Sequence, residues 1–288
     1  QFPPEDVEIV VVDDGSLRAP KVEELVHAAR PLELRLWQHE NNQGRAKARN
    51  SGIRAALGEV VVFLDGDMTV EPGFLDAHRA FHQTHEANCA CIGNIRFAAS
   101  IKPNALYRYI EGRGARRFAT GGVVPYNCFV TGNSSIRRQS LVDTGLFDED
   151  FHAYGGEDLE LGYRLSHAGI VFYYEATAVS NHHELRSLGE LCDLMSVYGA
   201  KSMPCIVEKH PELASLLRLR FLADASTPVR WAHRLALSPL VQRPVFFLLR
   251  CLPRGPVPSI LFDYLLWYHR TKAYVRAVDG KRQREPSS

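Results

Sequence analysis

The sequence predicts an α/β fold in which helices cover both faces of a mainly parallel β-sheet, followed by a helical extension. Three observations predict it. Short apolar runs alternate with helix-like segments near the start, the connections between them are short, and the last third is helical in pattern and broken by prolines. The 288 residues are 45% hydrophobic and 23% charged, which suits a chain with a large core and excludes intrinsic disorder.

Two strands and one helix are predicted before residue 40. The β-branched run 7–12 is a strand because it ends at the polar turn Asp13–Ser16, and residues 20–30 form a helix. Leucines alternate with polar residues over 32–37. That period of two is typical of a strand with one buried face.

A helix and a buried strand follow the loop Asn41–Gly44. Residues 45–57 are rich in alanine and end before Gly58, which is typical of a helix and its C-terminal cap. The short apolar run 60–64 is a buried strand, because an Asp-Gly-Asp turn stops it. Strands and helices that alternate in this way favour parallel strand pairs joined by right-handed crossovers.

The remainder of the chain is divided between loops and helices. Residues 95–150 are rich in glycine and are predicted as loops, whereas 157–168 form a helix and 171–174 a strand. Beyond residue 186 the pattern is helical and is interrupted by prolines, eight of them between residues 204 and 258.

Two acidic pairs follow predicted strands. Asp13 and Asp14 end the first strand, and Asp65 and Asp67 end the strand over 60–64. Ligands of open α/β sheets bind at the carboxyl ends of the strands, and carboxylates bind small hard cations that bridge to phosphates. A tight turn with solvated acids is the alternative. A second Asp-x-Asp, at 148–150, follows no strand and is predicted to be structural.

Two further clusters carry titratable groups. Glu157 and Asp158 follow two glycines and fall in the first turn of a helix, where the dipole favours their ionised forms. They serve either as a proton acceptor or only to complement the dipole. His182 and His183 follow a strand and are either a surface feature or the missing ligand of a metal at the Asp-x-Asp pair.

The charge is distributed unevenly along the chain. Residues 1–200 carry 19 Lys and Arg against 27 Asp and Glu, and residues 201–288 carry 15 against 6. This shift predicts a catalytic domain over 1–195 and a basic helical extension over 196–288. Arginines interleaved with aromatic residues in 201–288 suit an anionic membrane surface, and a solvated helical cap is the alternative. No motif supports nucleic acid as a partner.

Compartment is predicted from cysteines and hydropathy. The six cysteines form no Cys-x-x-Cys pair, and no apolar stretch reaches the length of a membrane-spanning helix. We therefore expect a cytoplasmic protein that is either soluble or peripheral on the cytoplasmic face of the membrane.

Five motifs in order resemble family-2 glycosyltransferases of the GT-A fold. The Glu-Asp helix is most similar to that of chondroitin-polymerase-like members. The motifs span residues 7–190 and are Val10–Ser16, Asn41–Gly52, Val61–Asp67, Thr131–Arg138 with Gly145–Glu149, and Gly156–Leu161.

The resemblance implies an inverting, metal-dependent transfer of sugar from a nucleotide-diphosphate donor, UDP-linked, to a hydroxyl of a glycan or lipid-linked acceptor. It assigns each candidate residue a role. Asp158 is the general base and Glu157 supports the acceptor. The donor nucleotide is held by Asp13, Asp14, Arg49 and Asp65, and Mn²⁺ or Mg²⁺ by Asp65, Asp67 and His182, with His183 the weaker candidate for the third ligand.

One departure and two rivals accompany the resemblance. The family begins with a central strand and a helix before the Val-Asp-Asp-Gly-Ser turn, and neither precedes that turn here, so we expect a longer natural chain. The rivals are a metal-dependent nucleotidyltransferase, disfavoured because no basic Gly-rich phosphate loop is visible, and a non-catalytic peripheral membrane protein that binds nucleotide or glycan. Intact acids at 65, 67 and 158 argue against the second rival.

Overall fold

The computed structural model describes residues 3–219, 227–251 and 257–282. They form two compact units. The first unit holds the described residues of 1–98, 113–152 and 157–183, and the second holds those of 99–112, 153–156 and 184–288. The domain boundary predicted at 195 stays a prediction.

The first unit contains eight strands and five helices among its described residues. The strands are β1 (Glu8–Asp13), β2 (Glu33–Gln38), β3 (Val60–Leu64), β4 (Met68–Val70), β5 (Cys89–Phe97), β6 (Val123–Val124), β7 (Asn133–Arg137) and β8 (Val171–His182). The helices are α1 (Val22–Ala29), α2 (Arg45–Ala55), α3 (Phe74–Thr84), α5 (Arg138–Asp143) and α6 (Glu157–His167), with α4 (Ala105–Glu111) lying in the second unit. The α/β class is confirmed.

The strands form two sheets, and the prediction of a mainly parallel sheet is wrong. β1 and β2 make a parallel pair, and the larger sheet has the order β3-β7-β5-β8-β4, with β6 also on β8. Within the larger sheet only β5 and β8 are parallel. The reason is β7, which lies in the segment predicted as loops and inserts antiparallel to both β3 and β5.

Helices cover both faces of the larger sheet, as predicted. On one face Ile92 and Phe172 pack with Ile53 of α2 and Leu161 of α6 in the main core. On the other face the alternate residues Cys89 and Cys91 of β5 pack with Phe81 of α3. Alternation along the strands therefore gives each helix layer its own apolar surface.

The outer edges of β1 and β3 face no strand among the described residues. β1 pairs with β2 and β3 pairs with β7, and no further pairing of either strand occurs in the described part of the chain. The central strand expected between them stays a prediction.

The second unit is helical. Besides α4 it contains α7 (Leu188–Val197), a π-helical turn (Tyr198–Ser202), α8 (Met203–Lys209), α9 (Thr227–Ala236), α10 (Pro239–Cys251) and α11 (Ser259–Arg282). Its core joins α4, α7, α10 and α11 through Leu106, Cys192, Leu249 and Leu265. Tyr109 stacks on Phe262 and donates a hydrogen bond to Asp263. No helix among the described residues has both the length and the apolar character needed to cross a membrane.

Candidate functional site

The turn after β1 uses both of its carboxylates to hold backbone. Asp13 accepts from the Ser16 amide at 3.0 Å, and hydrogen bonds from Ser16 lower the pKa of Asp13. Asp14 accepts from the amides of Gln43 and Gly44 at 2.9 and 2.8 Å and contacts His39 Nδ1 at 2.7 Å. The Asp14 carboxylate therefore fixes the loop before α2, and its predicted contact with a nucleotide stays a prediction.

Arg49 of α2 is the centre of an acidic cluster. Its guanidinium lies 2.8 Å from Glu157 Oε1, 3.2 Å from Asp158 Oδ1 and 3.9 Å from Asp65 Oδ1. The same group stacks over the ring of Phe147 at 5.5 Å. Burial lowers the pKa of Arg49, but the charges of Asp158 and Glu157 outweigh it, so the net shift is upward. Arg49 thus stays charged and links two clusters that are far apart in sequence.

Asp158 lies in the first turn of α6, and its two carboxylate oxygens accept hydrogen bonds from Arg49 and Thr131. Thr131 donates to it from its amide at 3.3 Å and from its hydroxyl at 3.2 Å. Burial raises the pKa of Asp158 to about 6, and the charge of Glu157 acts in the same direction, against the charge of Arg49 and the hydrogen bonds from Thr131. A carboxylate with a pKa close to neutral is suited to take a proton.

Glu157 is buried beside this base. Its side chain is 3% exposed, and its Oε2 has no hydrogen-bond partner among the described residues. A buried carboxylate oxygen without a donor is costly unless another group serves it. In this structure Glu157 contacts Arg49, and its support of an acceptor stays a prediction.

The end of β8 brings a histidine to the Asp-x-Asp turn. Met68 of β4 is the register partner of His182 in β8. Asp67 precedes Met68, and its Oδ2 therefore lies 3.5 Å from His182 Nε2. His183 instead contacts the Thr69 hydroxyl at 2.8 Å. Between the two histidines, the geometry favours His182 as a ligand.

Asp65 and Asp67 remain accessible, with side chains 45% and 54% exposed. A Cβ at Gly132 would lie 3.3 Å from Asp65 Oδ2, so this glycine leaves room beside the carboxylate. The described residues contain no group of three or more His, Cys, Asp or Glu placed to hold a metal by themselves. Two accessible carboxylates and one imidazole still fit a cation that takes its other ligands from phosphate and water.

A buried polar network lies on the α3 face of the sheet. His78 contacts Ser135 at 2.8 Å and Asn133 at 3.1 Å, and His82 contacts the same Ser135 hydroxyl at 2.8 Å. Burial lowers the pKa of both histidines to about 4, so they are neutral at pH 7. This network explains how the polar side chains of Asn133 and Ser135 in β7 are buried.

Asn133 extends the network across β5 to β8. Its amide donates to the Ala178 carbonyl at 2.8 Å and to Ser180 at 3.0 Å. It crosses β5 at Gly93, where a Cβ would overlap the Asn133 amide. The register of β5 and β8 shifts beyond Ile92, and Asn133 thus satisfies a carbonyl of the irregular segment that leads to His182.

Comparison with known families gives this site its context. The model described as "Glycosyl transferase family 2" matches residues 1–144, half of the chain. The chain belongs to glycosyl transferase family 2. A second model, described as "N-terminal domain of galactosyltransferase", matches residues 118–184, which include Thr131, Asp158 and His182. Membership of this family favours a sugar transferase over the rival nucleotidyltransferase.

Curated relatives are also glycosyltransferases. The pre-mycofactocin glycosyltransferase of Mycobacterium tuberculosis is 29% identical over 212 residues, covering 71% of this chain and 43% of the relative. Chondroitin synthase of Escherichia coli is 27% identical over 212 residues, covering 62% of this chain and 30% of the relative. The chain thus spans less than half the length of these two relatives.

Solved structures share the fold. A mannosyltransferase from Pyrobaculum calidifontis, described in complex with GDP-Man and Mn²⁺, has a TM-score of 0.53 at 18% identity, covering 97% of this chain and 80% of that chain. TarS from S. aureus has a TM-score of 0.51 at 19% identity, covering 97% and 50%. At these identities the similarity establishes the fold alone.

Sequence reasoning missed three residues that shape the site. Thr131 was seen only as part of a motif, yet it donates to the candidate base. Gly132 and Asn133 lie in the same motif, but the sequence assigned them no role because their function depends on neighbours in other strands. Asp148 holds its own loop by accepting from the Asp150 amide at 3.0 Å, as a structural acid does.

Proposed function

We propose that this family-2 chain transfers a sugar from a nucleotide-diphosphate sugar, UDP-linked, to an acceptor hydroxyl with inversion at the anomeric carbon. The observation that carries the proposal is the cluster in which Arg49 joins Asp158 at 3.2 Å to Asp65 at 3.9 Å. The Arg49 guanidinium thus lies close both to Asp158, the candidate base, and to Asp65, the carboxylate proposed to lie near the donor diphosphate.

In this proposal Asp158 takes the acceptor proton. The acceptor oxygen forms a bond to the anomeric carbon while the bond from that carbon to the phosphate oxygen breaks, and the proton passes to a carboxylate oxygen of Asp158. Thr131 and Arg49 hold that carboxylate in place. Because attack and departure occur on opposite faces of the sugar, a single displacement inverts the configuration.

The donor diphosphate would lie at the accessible acids after β3. Asp65, Asp67 and His182 would hold Mn²⁺ or Mg²⁺, which neutralises negative charge on a leaving diphosphate. The turn of Asp13 and Asp14 would face the nucleoside. A glycan or a lipid-linked sugar is the proposed acceptor.

The test is a screen of nucleotide sugars with the 288-residue chain and Mn²⁺. We expect hydrolysis or transfer from at least one UDP-sugar, with the product's anomeric proton in the NMR spectrum showing inversion. UDP that binds in calorimetry while every donor stays intact would favour the non-catalytic rival. A product of retained configuration would contradict the single displacement.

A further inference from the structure

Helix α10 exposes a row of large apolar side chains to solvent. Leu240 and Phe247 are 81% and 68% exposed, and Leu248 is 43% exposed. Helical spacing places 240, 244, 247 and 251 on one side of the helix. The opposite side buries Leu249 in the core of the second unit.

Helix α9 carries a second exposed apolar pair. Trp231 and Leu235 are one turn apart and are 65% and 61% exposed. The Arg234 guanidinium lies 5.6 Å from the centre of the Trp231 ring. We call Trp231, Leu235, Leu240, Phe247 and Leu248 the apolar stripe. So many large exposed side chains on two consecutive helices mark an interaction surface, because single proteins rarely leave them in water.

The charge of this segment is entirely positive. Residues 225–262 contain five arginines and no aspartate or glutamate. Arg234, Arg243 and Arg250 are exposed beside the apolar stripe. Arg220 and Arg254 and the side chain of Arg230 lie outside the described residues. The surface thus requires a partner that is apolar and negative at once.

We propose that α9 and α10 dock on an anionic phospholipid bilayer, with both helices lying in the plane of the headgroups. The apolar stripe would enter the boundary of the acyl chains while the arginines meet lipid phosphates, and Trp231 suits the interfacial layer. α10 has 13 residues, so at about 1.5 Å per residue it is too short to span the apolar core. Docking would place the chain on the cytoplasmic leaflet, where anionic lipids collect.

The experiment is co-sedimentation of the 288-residue chain with vesicles. Phosphatidylcholine vesicles containing phosphatidylserine should sediment the protein, and vesicles of phosphatidylcholine alone should leave most of it in solution. Raising the salt concentration to about 1 M shortens the Debye length to about 3 Å and should reduce the bound fraction severalfold.

Two double variants separate the apolar from the electrostatic contribution. Leu240→Ser with Phe247→Ser should reduce partitioning at least tenfold. Arg243→Gln with Arg250→Gln should reduce it about fivefold for each arginine. All four side chains are exposed, so both variants should melt within a few degrees of the parent.

The matched controls change exposed residues that belong to neither α9 nor α10. Leu57→Ser alters an apolar side chain that is 78% exposed in the first unit, and Lys102→Gln with Lys209→Gln removes the same charge as the arginine pair. Both should sediment like the parent. The proposal is overturned if neutral vesicles bind equally, if no vesicle binds, or if the controls lose as much as the stripe variants. It is also overturned if the chain dimerises in sedimentation equilibrium and the stripe variants abolish that dimer, because a second copy would then cover the surface.

Discussion

Arg49 balances the charge of the acidic cluster and sets the proton affinity of the candidate base. Its guanidinium contacts Glu157 and Asp158 directly and reaches Asp65 at 3.9 Å. Without that charge, two adjacent carboxylates with little solvent would repel each other. Substitutions of Asp158 and Arg49 should therefore change turnover and its dependence on pH.

Asp158→Asn should lower kcat by about 10² to 10⁴, because the amide keeps its contacts with Thr131 and cannot take a proton. Donor affinity should stay near the parent value in calorimetry. Asp148→Asn is the matched control and should keep turnover, since it retains the acceptor oxygen of its loop. Parent-like turnover in Asp158→Asn would assign the base to another residue.

Activity should fall as the pH drops through about 6, where Asp158 becomes protonated, by tenfold for each further unit. Arg49 lowers the pKa of Asp158, so Arg49→Gln should move this acidic limb to higher pH, and Arg49→Lys should move it less. The measurement is kcat/KM between pH 5 and 8, at about saturating metal. A limb that stays in place in Arg49→Gln would show that Arg49 does not act on the base.

The raised pKa of Asp158 also makes stability depend on pH. Activity should rise with pH, whereas this group's contribution to stability should fall. The carboxyl of Asp158 has its ordinary pKa of about 3.8 in the unfolded chain and a pKa of about 6 in the folded chain. Between these values the native state binds more protons, so this group's contribution to stability falls as the pH rises. Asp158→Asn should therefore raise the free energy of unfolding above pH 6, by at most about 3 kcal/mol. Urea titrations at two pH values measure it.

At the scale of elements, β7 organises the site. It lies between β3 and β5, and its polar residues Asn133 and Ser135 contact α3 on one side and β8 on the other. Asn133 is also the register partner of Leu64, which ends β3, so one residue of β7 links the end of β3 to β8. A substitution that disrupts this network should lower the free energy of unfolding of the first unit.

Gly93→Ala should lower the free energy of unfolding by about 2–4 kcal/mol, because a Cβ there overlaps the Asn133 amide in a packed interior. Gly66→Ala is the matched control. A Cβ at Gly66 would meet nothing within 4 Å, so that variant should stay within about 0.5 kcal/mol of the parent. If both variants had the same free energy of unfolding, the close approach of Asn133 to Gly93 would not contribute to stability as proposed.

At the scale of the whole molecule, donor binding should couple to folding. UDP with Mn²⁺ at about 100 times its Kd should stabilise the chain by about 2.7 kcal/mol, and UDP alone by clearly less. Asp65→Ala and Asp67→Ala should each remove the part that needs metal and should abolish turnover. Differential scanning fluorimetry with and without Mn²⁺ measures the difference, and an equal shift in both conditions would contradict the metal role.

Local sequence patterns were sufficient to predict the α/β class, the strand at 60–64 and the helices at 45–57 and 157–168, which the structure shows as Arg45–Ala55 and Glu157–His167. These follow from local periodicity, caps and turn residues, which act within a few positions along the chain. Tertiary structure alone decided that β7 is a strand, that the larger sheet is mixed and that Arg49 meets Asp158. Asn133-Ser134-Ser135 has no apolar pattern, and the side chains of Asn133 and Ser135 are buried because His78, His82 and Ser180, distant in sequence, supply their hydrogen bonds.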